Sequence, residues 1–95
     1  MLKGYSVYYP ADDNPYELKD KFGYDICTEN ARAIREADAI HIFWDEKSMG
    51  SLFDLGCAFA LNKPLVIVNK KDITVTEGKS FGNMLTIWEN YSGAV

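Results

Sequence analysis

The chain has 95 residues, of which 47% are hydrophobic and 25% are charged, a composition typical of one globular domain and not of a disordered or fibrous protein. Its formal net charge of −4 and pI of about 4.8 argue against a nucleic-acid backbone or an anionic membrane as the main partner. The opening "MLKGYSVYYP" does not resemble a signal peptide, and no apolar run approaches the ~18 residues that a membrane span needs. We therefore expect a soluble, cytoplasmic protein with a single domain over residues 1–95.

The residues that commonly bind metals or form disulfides are scattered along the chain. Cys27 and Cys57 lie in predicted helices without CxxC or CxxH spacing, which favours two free thiols in a reducing compartment. His41 lies among apolar strand residues, and Asp12 and Asp13 form an acidic turn. We expect neither a metal site nor a cofactor.

The first half of the chain predicts a strand, a loop and a helix. "GYSVYYP", Gly4 to Pro10, is β-branched and aromatic and indicates a strand. "ADDNPYELKDKFGY" is rich in turn-forming residues and indicates a surface loop. "DICTENARAIREA", from Asp25 or Thr28 to Ala37, collects its apolar side chains on one face, as an amphipathic helix does.

The second half predicts a strand, a helix, a strand and a closing helix. "DAIHIFW" and "PLVIVN" are apolar almost throughout, which is typical of strands buried on both faces of a parallel sheet. The helix between them, Leu52 to Leu61, completes a right-handed βαβ unit. "ITVT" is a candidate short strand, and Ser80 is a candidate cap for the closing helix. Four residues of that helix should face the core: Phe81, Met84, Leu85 and Trp88. The fold class is α/β, with a small parallel sheet flanked by helices.

The segment "DEKSMGS" is the best candidate for a binding loop. It leaves the strand that ends at Trp44 and enters the helix that carries Asp54, and ligands of open α/β sheets bind at the carboxyl ends of strands. Gly50 lets a ligand approach the backbone, while the Ser48 and Ser51 hydroxyls and the free N–H groups of the helix suit an anionic or hydroxyl-rich ligand. Neither GxGxxG nor GxxxxGK[ST] is present.

Asp54 is the only charged residue between Lys47 and Lys63, and two interpretations of it are open. Ser51-Leu-Phe-Asp54 fits a capping box, in which Asp54 accepts the Ser51 amide hydrogen. A carboxylate at the junction of a strand and a helix is also well placed to act as a nucleophile. The two roles do not exclude each other.

The stretch "EADAIHIFWDEKSMGSLFDLGCAFALNKPLVIV" resembles the nucleoside 2-deoxyribosyltransferases and the related 2′-deoxynucleoside 5′-phosphate N-hydrolases. The matching positions are Ala37-Asp38, Gly50, Asp54-Leu55-Gly56, Ala58, Ala60 and Lys63-Pro64. The resemblance runs from Gly4 to Val68 and implies a flavodoxin- or Rossmann-like sheet. Nucleotide-cleaving domains of the Toll/interleukin-receptor type are a second resemblance, which "LGCAFALNKP" fits less well.

The resemblance implies an N-glycosidic hydrolase or deoxyribosyltransferase whose partner is a nucleoside or nucleoside monophosphate. Asp54 occupies the position of the acid that attacks the anomeric carbon. Ser48 matches a serine that binds the 5′-phosphate, and Gly50 and Ser51 belong to the same binding loop. Either Trp44 or its neighbour Phe43 stacks the base, and alternation along the strand points the other into the core.

The chain also departs from the family pattern. The nucleophile there is normally Glu, and the residue matching the acid/base Asp is Asn30, which we assign to substrate binding. The chain begins at what resembles the family's second strand, so the first strand is expected to be absent. An exposed sheet edge then favours a homodimer or higher oligomer, in which Tyr91 reaches a neighbour's site. The alternative function is a non-catalytic nucleotide-binding module or an assembly protein.

Overall fold

The computed structural model describes residues 8, 10–16 and 21–92, and the predicted strand at Gly4–Pro10 lies almost wholly outside them. Pro10 itself begins a helix. The elements, in chain order, are α1 (Pro10–Asp13), α2 (Tyr24–Glu36), β1 (Ile40–Ile42), α3 (Met49–Ala60), β2 (Leu65–Ile67), a 3₁₀ turn (Lys70–Asp72) and α4 (Phe81–Ser92). The predicted positions of α2, α3 and α4 are therefore confirmed to within a few residues.

β1 and β2 form a parallel pair connected through α3. Ile40 lies opposite Leu65 and Ile42 opposite Ile67, which confirms the predicted βαβ unit. Leu65 and Ile67 are buried, whereas His41 at the centre of β1 is exposed. The expectation that both strands are buried on both faces is thus wrong for β1, because only the face shared by the isoleucines turns toward the core.

The core draws side chains from α2, α3, β2 and α4. Its buried apolar members are Ile34, Leu55, Ala58, Leu65, Ile67, Leu85 and Trp88. Phe59 of α3 meets Trp88 of α4 edge to face, with ring centroids 5.2 Å apart. Each large side chain buried here contributes about 1.5–3 kcal/mol relative to an exposed one. These contacts make the molecule an α/β fold with helices packed on a small parallel sheet. Of the helices that the structure describes, none has the length and apolar character to cross a membrane.

Lys63 connects the end of α2 to the start of β2. Its Nζ donates to the carbonyl oxygens of Arg35 and Ala37, each at 2.8 Å. The partial negative charge at the C-terminal end of a helix stabilises a cation placed there. The Trp88 indole N–H donates in turn to the Lys63 carbonyl at 2.9 Å, and the next carbonyl, of Pro64, accepts from the Ile40 amide at 2.9 Å. The Lys-Pro pair therefore orders the junction of helix and sheet.

The outer edge of β2 is closed by side chains of α4. The Leu65 amide donates to Ser92 Oγ at 3.0 Å, and the Ile67 amide donates to Glu89 Oε2 at 2.8 Å. Glu89 is only 6% exposed, and its second oxygen pairs with Lys70 Nζ at 2.8 Å. The hydrogen bond from Ile67, followed by that from Lys70, holds the pKa of Glu89 below its usual value.

The segment "ITVT" does not form a strand, so that prediction is wrong. The Asn83 side chain determines the path there instead: its Oδ1 accepts from the Thr76 amide at 3.0 Å, and its Nδ2 donates to the carbonyls of Thr76 and Gly78. An amide side chain thus satisfies the backbone groups that a neighbouring strand would otherwise pair with.

At the start of α4, Ser80 Oγ accepts from the Asn83 amide at 2.9 Å, which confirms the predicted cap. Leu85 and Trp88 are buried and Met84 packs against them, as predicted. Phe81 is mostly exposed, so its predicted inward orientation is wrong. It lies in the first turn of the helix and lines a cavity described below. The two cysteines are free and half-buried.

Candidate functional site

Ser48 precedes α3, whose first residue, Met49, lies three residues before the predicted start at Leu52. Its backbone is extended and its Oγ accepts from the Ser51 amide at 3.2 Å, so Ser48 is the N-cap. The two hydroxyl oxygens are 3.0 Å apart. The Ser51 amide hydrogen is therefore already used, and the predicted capping box with Asp54 is wrong. Both serines suit an N-cap, and the earlier one lengthens the helix by a turn.

Asp54 is the sixth residue of α3, beyond the first turn in which the helix dipole favours a carboxylate. The side chain is half-buried, and burial raises the pKa of its carboxyl. In residues 8, 10–16 and 21–92, no side chain or backbone group is recorded in a hydrogen bond or ion pair with it. Among the described residues, Asp54 therefore neither caps a helix nor pairs with a cation.

A cavity of about 270 Å³ lies on the side of α3 that faces away from Asp54. Its walls are apolar and come from the segment after β1, from α3 and from α4: Trp44, Leu52, Leu55, Gly56, Phe59, Phe81, Met84 and Leu85. Successive helical residues are rotated by about 100°, which places Asp54 roughly opposite Leu52 and Gly56. Trp44 packs inward while Phe43 is exposed, so alternation does separate these two rings. The structure therefore does not bring Trp44 to the face of α3 that carries Asp54.

Asn69 joins the carboxyl ends of the two strands. Its Oδ1 accepts from the Trp44 amide at 2.7 Å and its Nδ2 donates to the Trp44 carbonyl at 2.8 Å. Asp45 then shapes the turn into α3, since its Oδ1 accepts from the Lys47 amide at 2.9 Å and its carbonyl from the Ser48 amide at 3.1 Å. One signal for Asn69 is present in the sequence, a polar residue directly after the apolar run "PLVIV".

Gly50 and Ser51 follow the cap in the first turn of α3. Gly50 is exposed, and a Cβ added there would meet no atom within 4 Å, so the backbone is open to a ligand at this point. Ser51 precedes Asp54 by three residues, a spacing that puts both on neighbouring parts of one helix surface. The structure thus brings together three of the predicted site residues, Ser48, Gly50 and Ser51, next to Asp54 along α3.

Asn30 comes from α2, which packs against α3. It is 9% exposed, and its Oδ1 accepts from Asn14 Nδ2 at 2.9 Å. Asn14 is 4% exposed, which corrects its assignment to a surface loop. The sequence does not predict the burial of Asn14, because a polar residue before Pro15 has the pattern of a turn. Within the described ranges, no three His, Cys, Asp or Glu side chains are close enough to hold a metal ion.

Comparison with known proteins agrees with this arrangement of strand, loop and helix. The model of the nucleoside 2-deoxyribosyltransferase family matches residues 2–87, nearly the whole chain, and includes α2, β1, α3 and β2. No match was found among curated proteins or among solved structures. The match over so much of the chain establishes that this protein belongs to the nucleoside 2-deoxyribosyltransferase family.

Proposed function

We propose that the protein cleaves the N-glycosidic bond of a deoxynucleoside or deoxynucleoside 5′-monophosphate, with Asp54 as the nucleophile. The observation that carries the proposal is the state of this carboxylate, which is half-buried, beyond the first turn of α3 and without a partner among the described residues. A carboxyl with a pKa raised by burial and no structural use is a candidate for chemistry. Family membership supports the substrate class.

In the proposed reaction an Asp54 oxygen attacks the anomeric carbon of the sugar. The bond from that carbon to the base nitrogen breaks, and the base leaves with the electron pair and takes up a proton from water. The resulting glycosyl ester is then attacked by water, or by the nitrogen of a second base, which restores the carboxylate. Water yields hydrolysis, and a second base yields transfer.

The raised pKa of Asp54 gives this reaction a defined pH dependence. Only the ionised carboxylate attacks, so the rate should fall as the pH drops through the Asp54 pKa. Because burial raises that pKa, the acidic limb should lie above the ordinary range of an aspartate.

Ser48, Gly50 and Ser51 are proposed to bind the sugar or its 5′-phosphate. The first turn of α3 presents amide N–H groups beside two hydroxyls, an arrangement that suits an anion, and Gly50 leaves space for one. Trp44, which lines the cavity on the opposite face of α3, is not part of the proposed site.

The test is chromatography of free base released from 2′-deoxynucleosides and their 5′-monophosphates. Asp54→Asn should reduce release by about 10³-fold or more, whereas Glu46→Gln, which removes an exposed acid from the preceding loop, should leave it unchanged. Ser48→Asp retains a good N-cap but repels a phosphate, so it should impair monophosphates far more than nucleosides. Equal release by wild type and Asp54→Asn would refute Asp54 as the nucleophile.

Binding without turnover is a second candidate function, and Asn30 favours it. An amide cannot transfer a proton to the leaving base, so the step that an acid assists would depend on water. Thermal stabilisation by a nucleotide, with no base released over prolonged incubation, would support this candidate and would contradict the catalytic proposal.

We also propose that the protein forms a homodimer or higher oligomer. Large apolar side chains are exposed on α3 and α4, among them Met49, Phe53, Phe59 and Tyr91, and surfaces of this kind mark association sites. A monomeric mass by sedimentation at micromolar concentration would contradict this proposal.

A further inference from the structure

Asn14 is almost fully buried, and every polar atom of its side chain has a partner. Its Nδ2 donates to the Ile26 carbonyl at 3.0 Å and to Asn30 Oδ1 at 2.9 Å, and its Oδ1 accepts from the Tyr16 amide at 2.9 Å. This one side chain therefore links the segment after α1 to the buried face of α2.

Two of these partners are backbone groups with only one role each. The Ile26 carbonyl can only accept a hydrogen bond and the Tyr16 amide can only donate one, so the Asn14 amide has a single satisfactory orientation. Its nitrogen must then face Asn30, and only the oxygen of Asn30 can accept from it. The orientation of the Asn30 amide thus follows from the fixed donor and acceptor roles of the backbone groups.

This orientation directs Asn30 Nδ2 away from Asn14. The Asn30 residue is nine-tenths buried, but within the described part of the chain its Nδ2 makes no hydrogen bond and is still reached by solvent. A donor that is unpaired within the protein and open to solvent can exchange its water for an oxygen of a bound ligand. A donor held in a fixed direction also loses little freedom when the ligand binds.

We propose that Asn14 is a positioning residue, which holds the Asn30 amide so that its Nδ2 donates to an oxygen of the bound ligand, either a sugar hydroxyl or a phosphate. This inference rests on the proposed function, because it requires a nucleoside or nucleotide to bind where α2 packs on α3. It gives Asn30 a role as a donor that an aspartate at the same position would not fill when ionised.

The orientation can be measured first in the ligand-free protein. Nuclear Overhauser contacts can be measured in a ¹⁵N-labelled sample of the full chain. They should place the Asn14 side-chain NH₂ close to Ile26 and to the Asn30 side chain. The Asn30 NH₂ should show no such contact with Ile26. The reverse pattern would overturn the inference whatever the ligand. Titration with 2′-deoxyadenosine and with its 5′-monophosphate should then shift the Asn30 NH₂ resonance. A shift with both identifies a sugar oxygen as the acceptor, and a shift with the monophosphate alone identifies the phosphate.

Asn30→Asp tests the donor with little change in shape. One carboxylate oxygen can still accept from Asn14 Nδ2, while the other presents an acceptor where the donor was, so affinity should fall about tenfold or more. Asn62→Asp is the matched control at an exposed position and should not alter binding. If wild type binds a probe and Asn30→Asp binds it equally well, the inference is wrong and the proposed function stands. If wild type binds neither probe, both fail.

Discussion

Glu89 and Asp54 are both carboxylates on helices that pack near the sheet, but their hydrogen bonding differs and their pKa values are shifted in opposite directions. Glu89 on α4 is buried, accepts from the Ile67 amide and pairs with Lys70, and these contacts lower its pKa. Asp54 on α3 is half-buried without a recorded partner in the described ranges, and its pKa is raised. The first carboxylate is stabilised as an anion by the fold, and the second is not.

The contrast separates a structural acid from a candidate reactive one. A carboxylate that accepts a backbone hydrogen bond contributes to stability and is already satisfied. One that is partly desolvated and unpaired costs stability, and such costs are typical of sites where a ligand completes the contacts. The predictions below test the contrast, beginning with the largest expected effect on stability.

Replacing Glu89 by Ala should destabilise the protein by about 2 kcal/mol, because it leaves the Ile67 amide unsatisfied in a buried position. For a domain of this size that corresponds to a loss of roughly 10 °C in Tm. Urea unfolding measures the difference. Asn90→Ala, at the next position of the same helix, removes a polar side chain that is exposed and is the control. Equal losses for the two variants would contradict the structural role of Glu89.

Asn69→Ala should cost about 1–2 kcal/mol, since it removes the two hydrogen bonds that hold the Trp44 backbone. The loss should appear in urea unfolding and be accompanied by faster amide exchange at Trp44, whose N–H loses its acceptor. Asp72→Ala, which removes only a long contact to Asn69 of 3.4 Å, should change stability by less than half as much. Slow exchange at Trp44 in Asn69→Ala would show that the loop is held by other contacts.

The pH dependence of the Glu89 contribution follows from its lowered pKa. In the unfolded chain Glu89 has its ordinary pKa and binds a proton more readily than in the folded protein. Its ionic contribution to stability is therefore complete above that ordinary value and is lost as the pH falls through the lower, folded value. The difference in unfolding free energy between wild type and Glu89→Gln should be constant near neutrality and shrink in acid. A difference that grows on acidification would contradict the assignment.

The smallest expected effect is a gain, from Asp54→Asn. The raised pKa means that the folded protein binds a proton at Asp54 more readily than the unfolded chain does, so stability falls as pH rises from the ordinary aspartate value to the raised one. Because water screens the exposed part of the carboxylate, removal of the charge at neutral pH should add only a few tenths of a kcal/mol, or about 2 °C in Tm. Calorimetry at neutral and acidic pH should show this gain disappear in acid. A lower Tm for Asp54→Asn at neutral pH would indicate a structural contact.

The sequence predicts the helices and strands well where buried apolar side chains define their faces. The apolar faces of α2 and α4 and the two apolar runs around α3 predict the helices and the parallel pair. The sequence predicts the start of α3 three residues too late, because Ser48 and Ser51 both suit an N-cap and the acid at position 54 favours the later serine. The choice depends on backbone dihedrals that the sequence alone does not specify.

The candidate site was predicted less completely than the fold. The residues at the start of α3 follow from the position of a loop after a strand, but the burial of Asn14 and Asn69 does not. Each of these asparagines satisfies backbone groups far away in the chain. A polar residue that does so has the same local pattern as one in a solvated turn.

The closure of β2 by α4 has a consequence for the growth of the sheet. The amides of Leu65 and Ile67, which would otherwise pair with another strand, are already bound to Ser92 and Glu89. A strand from any source cannot add at this edge unless α4 first gives up those bonds. Templated aggregation through β2 is thereby opposed by two side chains, a protection that natural sheets more often obtain from prolines, bulges or charges on the edge strand itself.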